Sequence, residues 1–145
     1  MTRIGMHFSL WGAGWTREAA EQAVPEAARY GLEVIEIPLL VPGSIDVGHA
    51  RDLLAANGIA PSASLCLPPD RRASEHPAAA RDFLLEALEV AHALGCTFLG
   101  GVTYSALGYK TGAAPTEAEY AAIAEALRPA AARAAELGMT LDRKS

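Results

Sequence analysis

The fold of this 145-residue chain is decided by the stretch Gly31-Leu32-Glu33-Val34-Ile35-Glu36-Ile37. A glycine just past a helix can adopt the left-handed conformation that satisfies the last helical carbonyls, so Gly31 indicates a helix end. The β-branched residues that follow predict a strand whose two isoleucines face one side, while Val34 and Glu36 face the other.

The same order of helix, glycine and short apolar strand is repeated along the chain. Further strand-like segments follow glycines at 59–67, 97–104 and 139–141, and one opens the chain at 3–11. Helical patterns rich in Ala, Leu and Glu fill the intervals at about 16–30, 46–57, 76–94 and 116–137. The chain therefore predicts four strand–helix units and the first residues of a fifth strand.

Residues typical of helix starts precede these helices: Thr16, Ser44 or Asp46, Ser74, and Thr116, which has the spacing of a capping box with Glu119. Pro25 and Pro129 fall inside the first and fourth helices. Each removes a backbone donor, so we expect a kink or a local break there.

Strict alternation of strands and helices predicts a parallel sheet, because parallel neighbours need long connections. A doubly wound sheet competes with part of a (β/α)8 barrel, which normally needs about 250 residues. Both faces of a doubly wound sheet meet helices, whereas a barrel strand turns one face to a lumen. Each of the first three strands has one apolar face: Ile4, Met6, Phe8 and Leu10; Ile35 and Ile37; Ala63, Leu65 and Leu67. This pattern favours an α/β chain of the barrel class that contains about half of a (β/α)8 barrel.

Polar and small side chains collect where the predicted strands end. The lumen side there carries His7, Glu36, Ser64, Cys66 and Val102, at the rim where α/β proteins bind ligands. A carboxylate among Val and Ile must be paired, hydrogen-bonded or functional, so Glu36 is either a structural partner or a site residue. His7 is open to the same two interpretations. Trp15, in the loop after the first strand, is expected to cover the apolar part of a ligand.

Composition excludes several classes of protein. A net charge of −5, with 12 Lys and Arg against 17 Asp and Glu, argues against nucleic-acid binding. No apolar run approaches the roughly 18 residues that span a bilayer, and the start lacks a signal-peptide pattern, so we expect a cytoplasmic protein without membrane contact. Two distant cysteines predict neither a disulfide scaffold nor a structural zinc site. No spacing of His, Asp and Glu indicates a metal site.

Four motifs together resemble a known enzyme family. They are IGMHFSLW at 4–11 followed by Trp15, GLEVIEI at 31–37, SLCLP at 64–68 and GGVTY at 100–104. In order and spacing they resemble the N-terminal half of the D-tagatose 3-epimerase and D-psicose (allulose) 3-epimerase family, within the xylose isomerase-like sugar isomerase and epimerase barrels. The resemblance covers residues 1–141, and residues 142–145 form a tail that does not continue the family pattern.

The resemblance implies an enzyme that inverts C3 of a free ketose. In that family two glutamates remove and return the C3 proton through an enediolate, and a divalent cation (Mn²⁺, Mg²⁺ or Co²⁺) polarises the substrate oxygens. The family's metal ligands come from strands five to eight, and its N-terminal half supplies pocket walls. On this chain the substrate-binding positions fall at His7, Trp15, Glu36, Ser64, Cys66, Val102 and Leu107.

This chain departs from the family in ways that change the expectation. Family members often carry an aromatic residue at the position of His7 and a tryptophan at that of Leu107. Lys144 stands where the first metal-binding and catalytic glutamate is expected. We therefore expect no catalytic residue and no bound metal within this chain, which as a truncated half is expected to be inactive alone.

Open strand edges at the first and fourth strands predict a homo-oligomer whose partner covers them. Two alternatives stay open from the residues. One is a non-catalytic doubly wound α/β binding domain, and the other is a different isomerase of the same superfamily, of hydroxypyruvate or inositol type.

Overall fold

The structure, a computed structural model, describes residues 2–143. Its strands are β1 (Gly5–His7), β2 (Val34–Pro38), β3 (Ala60–Cys66), β4 (Phe98–Val102) and β5 (Thr140–Leu141). Its α-helices are α1 (Arg17–Arg29), α2 (Val47–Asn57), α3 (Pro77–Leu94) and α4 (Glu117–Glu136), and short 3-10 turns cover Phe8–Leu10, Pro42–Ser44 and Pro69–Arg71. The predicted alternation of strands and helices is confirmed.

The five strands form one parallel sheet in chain order, β1-β2-β3-β4-β5. A doubly wound sheet reverses its strand order at a switch point, and this order contains no reversal across residues 2–143. Each helix packs against the next, so the four helices form one layer. The doubly wound alternative is therefore wrong, and the winding is that of a barrel. The sheet edges are β1 and β5; β4, predicted as an edge, is internal because β5 pairs with it.

The core lies between this sheet and the helical layer. The predicted apolar faces of β2 and β3 are confirmed, since Ile35, Ile37, Ala63 and Leu65 are all buried. They belong to one cluster with Leu84 and Leu88 of α3. The opposite side chains of the same strands, among them Glu36 and Ser64, are only half-buried, as expected for a lumen face.

The first strand is shorter than predicted, and its apolar face is wrong in part. The chain leaves the strand after His7, whose Nδ1 accepts a hydrogen bond from the backbone N–H of Ser9 at 3.0 Å and so starts a 3-10 turn. Phe8 is fully buried, but Ile4 and Leu10 are 66% and 65% exposed. A sheet edge with a neighbour on one side offers these two side chains little to pack against.

Helix ends follow the predictions at most positions. Gly31, Gly58, Gly95 and Gly138 all have positive φ, and Thr116 forms the predicted capping box. The expected Ser74 cap is wrong, because α3 begins after His76 with Pro77 in its first turn.

A local break at the prolines is also wrong, since α1 and α4 continue through Pro25 and Pro129, and a kink there stays a prediction. Both prolines are exposed, so water can reach the carbonyl that each ring leaves unpaired.

The predicted tail at 142–145 is described only in part. The backbone N–H of Asp142 donates to the Leu99 carbonyl at 2.9 Å, which extends the pairing of β5 with β4. Asp142 and Arg143 are exposed, and Lys144 and Ser145 lie outside the described residues. No helix in residues 2–143 is long and apolar enough to cross a membrane.

Candidate functional site

A cavity of about 310 Å³ opens at the carboxyl ends of the first four strands, on the sheet face away from the helices. Its walls are His7, Ala13, Glu36, Pro38, Leu40, Ser64, Leu65, Cys66, Gly101, Val102 and Leu107. The volume is at the lower end of the range for small-molecule sites. The location is the one where α/β barrels place their binding residues.

Six of the seven sequence-predicted site residues line this cavity: His7, Glu36, Ser64, Cys66, Val102 and Leu107. The seventh, Trp15, does not. Its side chain is 7% exposed and packs on Phe8 with ring centroids 4.9 Å apart, and it lines a separate, smaller cavity. Trp15 therefore packs under the turn that follows β1, and its contact with a ligand stays a prediction.

Several wall residues were missed from the sequence. Pro38 lies two positions after Glu36 on the same side of β2, so the strand period would have found it. Gly101 has no side chain, and a φ of +111° places it outside ordinary strand geometry, so no periodic signal marks it. Ala13 and Leu40 belong to loops, whose approach to the cavity depends on tertiary structure.

The hydrogen bonds of His7 determine which ring nitrogen faces the cavity as a donor. Because Nδ1 accepts the Ser9 backbone N–H, the proton of the neutral ring is on Nε2. Nε2 lies 3.3 Å from Ser64 Oγ and 3.8 Å from Glu36 Oε1. The side chains of His7 and Glu36 are 40% and 41% exposed, so both remain accessible to a ligand.

Strand register brings these three side chains together. His7 is paired with Glu36 across β1 and β2, and Ser64 is level with Pro38 in the next strand. The cluster offers an imidazole N–H donor, a carboxylate acceptor and a hydroxyl that can act as either. A polyhydroxylated ligand, whose hydroxyls both donate and accept, matches this set.

The two cysteines differ in environment. Cys66 lines the cavity and is half-buried, whereas Cys96 is 3% exposed. Burial raises the pKa of the Cys96 thiol to about 12, which keeps it protonated and unreactive at neutral pH. The Cys66 thiol is therefore a selective chemical reporter for the cavity.

The described residues do not fit a divalent metal site. Within 2–143 no group of three or more His, Cys, Asp or Glu side chains is placed to hold an ion. In the cavity His7 and Glu36 lie 3.8 Å apart, but Cys66 is not placed to complete a ligand set with them, and the Nε2 of a neutral His7 carries a proton. The Mn²⁺, Mg²⁺ or Co²⁺ implied by the family resemblance is not assigned to these residues.

Comparison with known proteins identifies the family. Residues 24–142 match the sequence profile of the xylose isomerase-like TIM barrel. The chain belongs to the xylose isomerase-like TIM barrel family.

Curated relatives within this family are sugar epimerases. The chain is 36% identical to an L-ribulose 3-epimerase of Methylomonas sp. (strain DH-1) over an alignment of 142 residues, which covers 95% of this chain and 49% of the relative. It is 37% identical over 109 residues to a ketose 3-epimerase of Arthrobacter globiformis, across 72% of this chain and 38% of the relative. The chain thus spans about half the length of the curated relatives it matches, or less.

A solved structure has the same fold over this span. The D-allulose 3-epimerase from Methylomonas sp. in complex with D-allulose superposes with a TM-score of 0.90 and 34% sequence identity. The match covers 99% of this chain and 51% of that enzyme. The TIM-barrel class that the lumen-facing pattern predicts is therefore confirmed, as is the resemblance to the 3-epimerases.

Proposed function

We propose that this chain supplies the N-terminal part of the sugar site of a ketose 3-epimerase. The observation that carries the proposal is the cluster of His7, Glu36 and Ser64 in a cavity at the strand ends. The xylose isomerase-like relatives of the chain are ketose 3-epimerases, and one related crystal structure contains D-allulose, which supports a ketose over the hydroxypyruvate- and inositol-type substrates.

The cavity suits a single sugar ring or open-chain ketose. Its polar cluster can exchange hydrogen bonds with adjacent hydroxyls, and the apolar side chains of Val102 and Leu107 can pack on the carbon chain. In this proposal His7 donates from Nε2, Glu36 accepts, and the hydroxyl of Ser64, 3.3 Å from His7 Nε2, can do either. A sugar contact of Trp15, which lines the separate smaller cavity, stays a prediction.

Inversion at C3 needs groups that remove a proton from one face and return one to the other. The described part of the cavity contains one carboxylate, Glu36. We therefore assign C3 proton transfer, and any divalent cation, to the part of the relatives' length that this chain does not span. We propose that the chain by itself binds a ketose but does not catalyse its epimerisation.

The proposal extends to domain organisation, assembly and location. Residues 1–141 would form half of a barrel domain, and the exposed edges β1 and β5 would be covered by a second copy or by further barrel elements. A monodisperse monomer in sedimentation equilibrium would count against self-association. We also propose a cytoplasmic location, a compartment in which free thiols such as Cys66 and Cys96 are the rule.

Protection of Cys66 tests sugar binding directly. Iodoacetamide is expected to alkylate Cys66, and D-allulose or L-ribulose is expected to slow that reaction, whereas glycerol at equal concentration does not. Glu36→Gln should weaken the protection, and Glu125→Gln, the same change on the exposed face of α4, should not. Equal alkylation rates with and without ketose would refute binding in this cavity.

Exchange of the C3 hydrogen tests the reaction. We expect no deuterium exchange into D-fructose, D-allulose, D-tagatose or sorbose by this chain alone. Exchange should occur, and should require Mn²⁺ or a similar cation, when the chain is part of a protein of its relatives' length. Absence of exchange on every ketose in that longer protein would refute the epimerase assignment.

A further inference from the structure

Two loops at the rim of the cavity are joined by side chains that the sugar site itself does not use. The loop between β3 and α3 carries Arg72 and Glu75, and the loop between β4 and α4 carries Tyr109. These three residues, called the rim clasp below, contact one another across the two loops.

The rim clasp combines ionic, hydrogen-bond and aromatic contacts. The guanidinium of Arg72 donates to both carboxylate oxygens of Glu75, at 3.1 and 2.6 Å. The Tyr109 hydroxyl donates to Glu75 Oε1 at 3.0 Å. The Arg72 guanidinium also lies 4.0 Å from the centre of the Tyr109 ring. Arg72 thus binds Glu75 in the plane of its guanidinium while its face covers the ring.

The protonation states favour this arrangement at neutral pH. The hydrogen bonds from Arg72, and then from Tyr109, lower the pKa of Glu75. The hydrogen bond to Glu75 raises the pKa of the Tyr109 hydroxyl. Glu75 is therefore ionised and Tyr109 remains a donor.

Backbone hydrogen bonds connect the same two loops. The N–H of Ala73, next to Arg72, donates to the Tyr104 carbonyl at 3.1 Å, and Ala73 is fully buried. The N–H of Tyr109 donates to the Ala106 carbonyl at 3.3 Å, closing a turn over the residues between them. Leu107 lies in that turn.

Leu107 depends on this turn for its position. Leu107 is 75% exposed yet lines the same cavity as Cys66, so few contacts of its own hold it there. Gly108, the next residue, has a φ of +75° and open space where a Cβ atom would lie. As a glycine it restricts rotation of the backbone little. The nearest side-chain anchor after Leu107 is Tyr109.

We propose that Arg72, Glu75 and Tyr109 are positioning residues that hold Leu107 over the mouth of the cavity. The role of Leu107 as a sugar contact rests on the proposed function, but its placement by the rim clasp does not. Amide exchange and Cys66 alkylation report on the loop in the absence of sugar, so a failure of ketose binding and a failure of the rim clasp give different results.

Amide hydrogen exchange tests the connection between the loops. Tyr109→Phe removes the hydroxyl but keeps the ring over Arg72, and we expect exchange of the Ala73 amide to accelerate about fivefold to tenfold. Tyr120→Phe, at an exposed tyrosine on α4, is the matched control and should leave it unchanged. The Thr140 amide, bound to the Thr97 carbonyl, reports whether the whole fold has loosened.

Alkylation of Cys66 tests the effect on Leu107. Tyr109→Phe and Leu107→Ala should each accelerate iodoacetamide modification, because each uncovers the thiol. In the double variant we expect no acceleration beyond that of Leu107→Ala, since the hydroxyl of Tyr109 acts through Leu107. Glu75→Gln should behave like Tyr109→Phe.

Any of three results would overturn the proposal. One is an unchanged Ala73 exchange rate in both Tyr109→Phe and Glu75→Gln. Another is fully additive acceleration of Cys66 alkylation in the double variant, which would mean that the clasp and Leu107 act independently. If Thr140 exchange rises as much as that of Ala73, the clasp is a general stabiliser and its positioning role is refuted.

Discussion

Replacing Gly101 by alanine tests how closely β3 and β4 approach beside the candidate sugar site. Gly101 lines the cavity and pairs with Leu65 of β3. A Cβ atom at Gly101 would lie 2.2 Å from the Leu65 carbonyl oxygen and 3.0 Å from its nitrogen. An ordinary carbon–oxygen contact is about 3.3 Å, so the strands would have to separate by about 1 Å.

The expected cost has two parts. A φ of +111° strains any residue with a Cβ by about 1–2 kcal/mol. Overpacking against backbone that cannot turn aside adds about 1–3 kcal/mol. Alanine also lowers the conformational entropy of the unfolded chain, which offsets about 0.4–1 kcal/mol of this destabilisation. We expect Gly101→Ala to lower the free energy of unfolding by about 3 kcal/mol.

Two other glycines separate these contributions. Gly108 has a φ of +75°, and no neighbouring atom of residues 2–143 lies within 4 Å of the position that an added methyl group would take, so Gly108→Ala carries the backbone strain alone, about 1 kcal/mol. Gly14 also has open space and does not have a positive φ, so Gly14→Ala should be neutral or slightly stabilising. Urea unfolding followed by circular dichroism measures all three. If Gly101→Ala falls within about 1 kcal/mol of Gly108→Ala, the argument from close approach is wrong.

Three further predictions follow from the described contacts. Thr116→Ala should lower the free energy of unfolding by about 1 kcal/mol in urea titrations, because it removes the N-cap of α4. The hydrogen bonds from Thr116 lower the pKa of Glu119 in the folded chain. The stabilisation that ionised Glu119 provides is therefore complete at pH values above the ordinary glutamate pKa, and it is lost as the pH falls through the lowered pKa. The melting temperatures of the wild type and Glu119→Gln should therefore converge in acid and differ near neutral pH, and a constant difference would contradict this. Isothermal titration with Mn²⁺ should detect no stoichiometric binding, and a tight site would show that the chain assembles ligands not recognised in residues 2–143.

Local sequence signals predicted the repeating part of the fold well. The helix-ending glycines and the alternation in β2 and β3 act over a few residues, and the structure keeps both. The same alternation placed Glu36, Ser64 and Cys66 on one face, and the cavity confirms that they lie together.

The first strand shows where local reasoning failed. Alternation continues through Leu10, but the His7 side chain captures the Ser9 amide and turns the backbone away. The burial of Trp15 against Phe8 depends on the same turn, which no local pattern marks, and its contact with a ligand stays a prediction.

By itself the sequence determined the strand–helix alternation, the lumen-facing residues and the resemblance to ketose 3-epimerases, because each depends on spacing along the chain. Only the tertiary structure decided the unreversed strand order, the direction of the His7 Nε2 donor and the rim clasp. These depend on contacts between residues as distant as Glu75 and Tyr109. Hydrogen bonds and packing across such distances leave no periodic pattern in the sequence, and they exist only once the sheet has assembled.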